Sequence, residues 1–203
     1  MPRSPDRNPW SRAVWMLSLL LVACATTPPS TPLDSLQQRD ALQRMAGFTF
    51  KGRVAVASQG GGLANVDWQQ QHDLAKVKLS GPGGAGALQL EYSPGSLRIV
   101  TGRGDTLAND EAEQLLIREL GFLPPFDALR YWVLGIPAPS APATESHDAA
   151  GLLQTISQQE WVVSYEGHKP VDTAAGRVQL PAKLVATRGN LRLKLVIDRW
   201  HMK

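Results

Sequence analysis

Strict two-residue alternation, repeated at short intervals, is the feature that most limits what this chain can become. Phe48, Phe50, Val54 and Val56 alternate with Thr49, Lys51, Arg53 and Ala55, with Gly52 interrupting the apolar row. Ala64, Val66 and Trp68 alternate with Asn65, Asp67 and Gln69, then Ala75, Val77 and Leu79 with Lys76 and Lys78. Leu88, Leu90 and Tyr92 alternate with Gln89 and Glu91, and a turn at Ser93 to Ser96 leads into Leu97 to Thr101. Successive side chains on a strand point to opposite faces, so each run carries one dry face and one wet face. The connections, glycine-rich at 60–62 and 81–86, are too short for helical crossovers and require an antiparallel meander.

The period changes in the middle of the chain. Asn109 stands at an N-cap position, with Asp110 and Glu111 in the first turn, where carboxylates complement the helix dipole. Ala112, Leu115, Leu116 and Leu120 follow at helical spacing, and Gly121 ends the element. Pro124-Pro125 opens a second short helix through Phe126, Leu129, Tyr131, Trp132 and Val133, which Gly135 stops. Pro137 to Pro142 reads as a loop. Strand signals resume at Leu152 to Ser157 and Trp161 to Tyr165. Arg177 to Thr187 reads as one strand with Pro181 at an edge or bulge, and Leu191 to Asp198 follows a Gly189-Asn190 turn. The expected architecture is mainly β, an α+β arrangement of about five strands, two helices and four strands. A short amphipathic helix at 34–46 precedes it. Two short helices cannot cover both faces of a large sheet, but they can lid one side of a curled one, and such a sheet encloses an apolar hollow.

The first 23 residues are different in kind. Arg3, Arg7 and Arg12 precede Ala13 to Ala23, an apolar run of 11 residues without a charge. That is the pattern of a secretory signal, and the run is far short of the roughly 20 residues a spanning helix needs. Leu21-Val22-Ala23-Cys24 resembles the bacterial lipobox, whose cysteine is diacylated on sulfur and acylated on the freed amine. Cys24 is the sole cysteine, so no intramolecular disulfide competes for it despite export to an oxidising compartment. Ala25, where an inner-membrane lipoprotein often has Asp, implies sorting to the outer membrane. Residues 24–33 form a Pro/Thr-rich tether, and residues 34–203 form the domain.

The formal charge of +3 falls to +1 once the leader's three arginines and one aspartate are set aside. No basic stripe interleaved with aromatics suits a nucleic-acid partner. Gly81-Pro82-Gly83-Gly84-Ala85-Gly86 matches the dinucleotide-binding glycine spacing in letters only, because a strand pattern follows where a helix must open. His72, His147, His168 and His201 lack metal-ligand spacing, and no nucleophile elbow is present, so catalysis is not expected.

Several segments form an ordered set: Trp68-Gln69-Gln70, Leu79-Ser80-Gly81-Pro82-Gly83-Gly84, Gly121-Phe122-Leu123-Pro124 and Leu129-Arg130-Tyr131-Trp132-Val133-Leu134-Gly135. Gln159 to Tyr165, Leu180 to Leu184, and Leu191 to Leu195 with Trp200 continue the series. In order and spacing the set resembles the outer-membrane lipoprotein receptor family LolB. The resemblance implies a half-open antiparallel β-barrel with an inserted helical lid around an apolar cavity. It implies no cofactor. It also implies partners: lipoprotein acyl chains, a soluble LolA-like periplasmic carrier, and the inner leaflet of the outer membrane, with the receptor acting as a monomer. The membrane-delivery loop then falls at Pro82, Gly83 and Gly84. The family carries a large apolar residue at the tip where this chain has Gly83, which removes about 1.5–3 kcal/mol of membrane burial.

Candidate cavity residues are Phe50, Val54, Trp68, Leu79, Leu88, Leu90, Leu116, Leu120, Trp132, Leu193 and Leu195. Each fits ordinary core packing as well as ligand contact, because alternation fixes a face without saying whether that face is filled or hollow. A lipid-anchored structural protein with a filled core is therefore the principal rival, and an envelope hydrolase lacks its nucleophile and paired carboxylates. A soluble carrier of the same fold would lack Cys24.

Overall fold

The structure, a computed structural model, describes residues 33–57, 61–84 and 86–202. The leader, Cys24 and the tether up to residue 32 lie outside the described residues. Helix α1 (Ser35–Gln43) precedes a six-stranded meander: β1 (Gly47–Ala57), β2 (Leu63–Gln71), β3 (Leu74–Ser80), β4 (Leu88–Ser93), β5 (Ser96–Thr101) and β6 (Thr106–Ala108). Helices α2 (Asp110–Leu120) and α3 (Phe126–Trp132) follow. Seven strands complete the order: β7 (Ala143–His147), β8 (Leu153–Gln158), β9 (Trp161–Tyr165), β10 (His168–Thr173), β11 (Gly176–Pro181), β12 (Lys183–Arg188) and β13 (Leu191–Met202).

Eleven strands form one antiparallel sheet in the order β6-β5-β4-β3-β2-β1-β13-β12-β9-β8-β7. Its two edges, β6 and β7, do not pair with each other, and the connection between them is α2 followed by α3. The sheet is thus a half-open barrel, with the helices crossing the gap. On β1 and β2 the inward row is Phe48, Phe50, Val66 and Trp68, all buried, with Val54 and Ala64 partly so. The outward row is charged: Lys51 pairs with Asp67 (3.2 Å), Arg53 with Asp198 (3.1 Å) and Lys76 with Glu91 (3.2 Å). Such exposed pairs contribute little stability but keep the convex face wet.

Gly52 has a steric reason to be glycine. The β1–β13 register shifts between Lys51 and Gly52, and a Cβ at Gly52 would sit 2.1 Å from the Val196 carbonyl oxygen. The strands approach too closely there for any side chain, and the extra residue, Asp198, bends β13.

The two ends of the barrel differ. The β1–β2, β3–β4 and β12–β13 connections share one end, as the pairs Ala55↔Leu63, Asn65↔Ser80 and Ala57↔Arg192 require. The hairpin β10–β11 packs on the opposite end, with Val178 and Leu180 fully buried. Lys169 Nζ donates to the carbonyls of Ile197 (3.0 Å) and Asp198 (3.1 Å), and Trp200 Nε1 donates to the Pro181 carbonyl (3.1 Å). Helix α1 lies against this hairpin. A capping box of Asp34 and Gln37 starts it, and Gln38 accepts from Gln179 N (2.8 Å) while donating to its carbonyl (3.2 Å).

Several expectations need correction. Arg177 to Thr187 is two strands, because Pro181 has no N–H to continue a ladder and the chain leaves the hairpin for the main sheet there. β6, β7 and β10 were not expected. Asn109 occupies the N-cap position without capping: its φ is 47°, and its Oδ1 accepts from Leu97 N (3.3 Å), tying the helix start to the sheet.

Candidate functional site

Alternation on five neighbouring strands sends apolar side chains inward from β1, β2, β3, β4 and β13, and α2 and α3 supply the facing wall. These surfaces do not meet. They leave a cavity of about 340 Å³, lined by 24 residues and open toward the end holding the β1–β2 and β3–β4 connections. The volume is within the range of small-molecule pockets, roughly 300–1,000 Å³. Phe50, Val66, Trp68, Val77, Leu90 and Leu195 form its deeper wall, with Phe126, Leu129 and Val133 of the α3 segment opposite.

Ten of the eleven sequence-named residues line this hollow: Phe50, Val54, Trp68, Leu79, Leu88, Leu90, Leu116, Leu120, Leu193 and Leu195. Trp132 does not. It is fully buried on the other side of α3, where its indole N–H donates to Gln158 Oε1 (2.9 Å) and its ring lies 6.2 Å from that of Trp161. Gln158 also accepts from Ala138 N (2.9 Å) and donates to the carbonyls of Ala138 (2.7 Å) and Ala141 (2.6 Å). Tyr165 O–H donates to the Trp132 carbonyl (3.0 Å), and burial pushes that phenol well above its ordinary range. Trp132 is thus the anchor of a saturated polar knot that fixes α3 to the sheet.

Other lining residues escaped the sequence reading: Val56, Leu63, Ala64, Val66, Val77, Glu119, Phe126, Leu129 and Val133 among them. Those on strands belong to inward rows already visible in the alternation, except Leu63, which starts β2 on the opposite parity and reaches the cavity only at its rim. Those on the helices needed the crossing of the gap, which no local signal encodes.

The polarity of the hollow is low. Among the 24 lining residues only Ser80 and Glu119 carry a hydroxyl or a charge. Trp68 turns its indole N–H to Gln70 Oε1 (3.0 Å), and Gln70 Nε2 donates in turn to the His72 carbonyl (2.8 Å), so the ring offers the cavity only carbon. A water needs two to four polar partners, which these walls do not supply, whereas an alkyl guest needs none.

The sequence-named loop Pro82, Gly83 and Gly84 sits at the open end as an exposed 3-10 turn, and a strand follows it rather than a helix. It presents no large apolar group among its described residues. Across the same end, Leu63 lines the cavity while remaining 58% exposed. No helix among the described residues is long and apolar enough to cross a membrane, and no group of three or more His, Cys, Asp or Glu among them could hold a metal ion.

Comparison with known proteins bears on this geometry. The family profile described as "Outer membrane lipoprotein LolB" matches residues 46–200. The chain is 34% identical over 201 residues to the outer-membrane lipoprotein LolB of Chromohalobacter salexigens, covering 95% of this chain and 92% of that one. It is 32% identical over 198 residues to that of Cellvibrio japonicus, covering 94% and 98%. A Vibrio parahaemolyticus domain, named as an outer membrane lipoprotein-sorting protein, shares the fold at a TM-score of 0.50 and 7% identity, covering 83% of this chain and 90% of its own. With an apolar half-open barrel, a helical lid and a family match spanning nearly the whole domain, the chain belongs to the LolB family.

Proposed function

We propose that this protein takes the acyl chains of lipoproteins into its cavity and releases them into the inner leaflet of the outer membrane. It acts there as a lipoprotein itself, anchored through Cys24 once residues 1–23 are removed. The carbon-lined hollow carries this reading. An acyl chain of about sixteen carbons loses roughly 12 kcal/mol on exposure to water at about 0.8 kcal/mol per methylene, so it crosses an aqueous space only inside such a shelter. Ten of the eleven residues first named from sequence patterning line it, which supports acyl contact for those ten. Trp132 holds the lid helix instead.

Directional transfer needs only an order of affinities, carrier below receptor and receptor below bilayer, and no nucleotide chemistry. The cargo comes from a soluble periplasmic carrier of the LolA type and leaves by the open end. There Leu63 and the Pro82–Gly84 turn meet the bilayer, with Leu63 supplying the apolar contact that Gly83 does not. Relatives of this chain are named as outer-membrane lipoproteins, which supports the same location here. The test is depletion in the native cell. Lipoproteins should then accumulate on the soluble carrier, and normal arrival at the outer membrane would overturn the assignment. A Cys24→Ala chain should be recovered soluble, and continued membrane attachment would refute the anchor.

A further inference from the structure

The acyl chains of a lipoprotein and of a membrane phospholipid are chemically alike, so a carbon-lined wall cannot tell them apart. Phospholipid is also present in great excess wherever the open end meets a bilayer. Discrimination must come from the polar part of the guest, and the cavity has few groups that could read it. Glu119 is the one ionisable residue among the 24 that line it, and it is exposed at the mouth. It occupies the last turn of α2, where the partial negative charge of the helix C-terminus adds to its own. Among the described residues no cation forms an ion pair with it. Arg118, its neighbour in sequence, is about 100° away around the helix and does not line the cavity.

We propose that Glu119 sets the cargo selectivity of this cavity, admitting acylated peptide and disfavouring phosphate-bearing lipid. This rests on the acyl-binding reading above. A carboxylate accepts hydrogen bonds and donates none. The linkage of an N-acylated, S-diacylglyceryl cysteine supplies amide N–H donors and carries no charge. A phospholipid with the same chains brings a phosphate to the same place, where it meets a like charge and the carbonyl end of a helix. The Ser80 hydroxyl, the remaining polar side chain of the lining, can serve either head and does not discriminate.

The test uses the full chain carrying Cys24→Ala, so that its own lipids do not compete, with three fluorescent probes of matched chains. They are a triacylated cysteinyl-serine amide, diacylglycerol and phosphatidylglycerol. Glu119→Gln should raise the affinity for phosphatidylglycerol relative to diacylglycerol by about five- to tenfold, the effect of a screened like-charge contact. Glu119→Lys should raise it further, and added salt should shrink both changes because the mouth is open to solvent. The triacylated amide should lose ground to diacylglycerol in Glu119→Lys. A phosphatidylglycerol-to-diacylglycerol ratio within twofold of the parent in both variants would overturn the selectivity role alone. Failure of the parent to take up any of the three probes would overturn the acyl-binding reading along with it.

Discussion

Replacing Ala64 with phenylalanine separates a hollow interior from a packed one, because the two predict opposite signs. Ala64 lies on the inward row of β2, pairs with Val54 of β1 and lines the 340 Å³ cavity. A benzyl group there enters empty space and displaces about four methylenes of a guest chain. At about 0.8 kcal/mol each, that is roughly 3 kcal/mol, or about a 200-fold loss of affinity. Stability should hold or rise slightly, since the ring buries apolar surface without displacing a neighbour. In a filled core the same substitution forces repacking at about 1–3 kcal/mol, which lowers Tm by roughly 2–12 °C for a domain of this size. Calorimetry and titration with a fluorescent diacylglycerol on the same sample read both quantities. A lower Tm with unchanged uptake would refute the cavity as the acyl site.

Other perturbations test separate parts of the architecture. Leu63→Asp removes the exposed apolar group at the mouth and should slow cargo insertion into vesicles at least about tenfold, with Leu63→Phe restoring it; unchanged insertion by both would take Leu63 out of membrane contact. Gln158→Leu orphans the Trp132 indole N–H, the Ala138 N–H and two carbonyls, and should cost about 3–5 kcal/mol by denaturant titration; a loss under 1 kcal/mol would mean that the knot is not structural. Gly52→Ala drives a methyl into the Val196 carbonyl and should destabilise by about 3 kcal/mol or more, whereas a folded variant of parental Tm would show that β1 and β13 can part.

The sequence disclosed the sheet where side chains alternate cleanly and concealed it where they do not. β1 to β5 were legible because apolar and polar side chains alternate along them. β7 (Ala143–His147) buries none, its three middle residues are polar, and its strand state is imposed by pairing with β8. β10 carries Pro170 and three charged or ionisable residues, and only its hairpin partner β11 makes it a strand. The turn between β8 and β9 has Gln159 and Glu160 at φ 50° and 65°, a left-handed pair normally signalled by Asn-Gly. Within the cavity, strand residues could be read from a row, but Trp132 could not be placed. Helical periodicity put it on an apolar face without revealing that α3 has two, one toward the hollow through Leu129 and Val133, the other toward Gln158.

The middle of the great sheet is formed by residues from opposite ends of the domain, β1 beside β13. During synthesis and export, the six strands β1 to β6 and the four strands β7, β8, β9 and β12 remain separate halves until Leu191–Met202 emerges between them. Each half meanwhile exposes a long unpaired edge to water and to other chains. Assembly is therefore slow in the manner of any topology dominated by distant pairings, and it cannot finish during translocation. A chain arrested a dozen residues early would lose the seam rather than a fringe, and the periplasm would have to shield two sticky fragments until they are degraded.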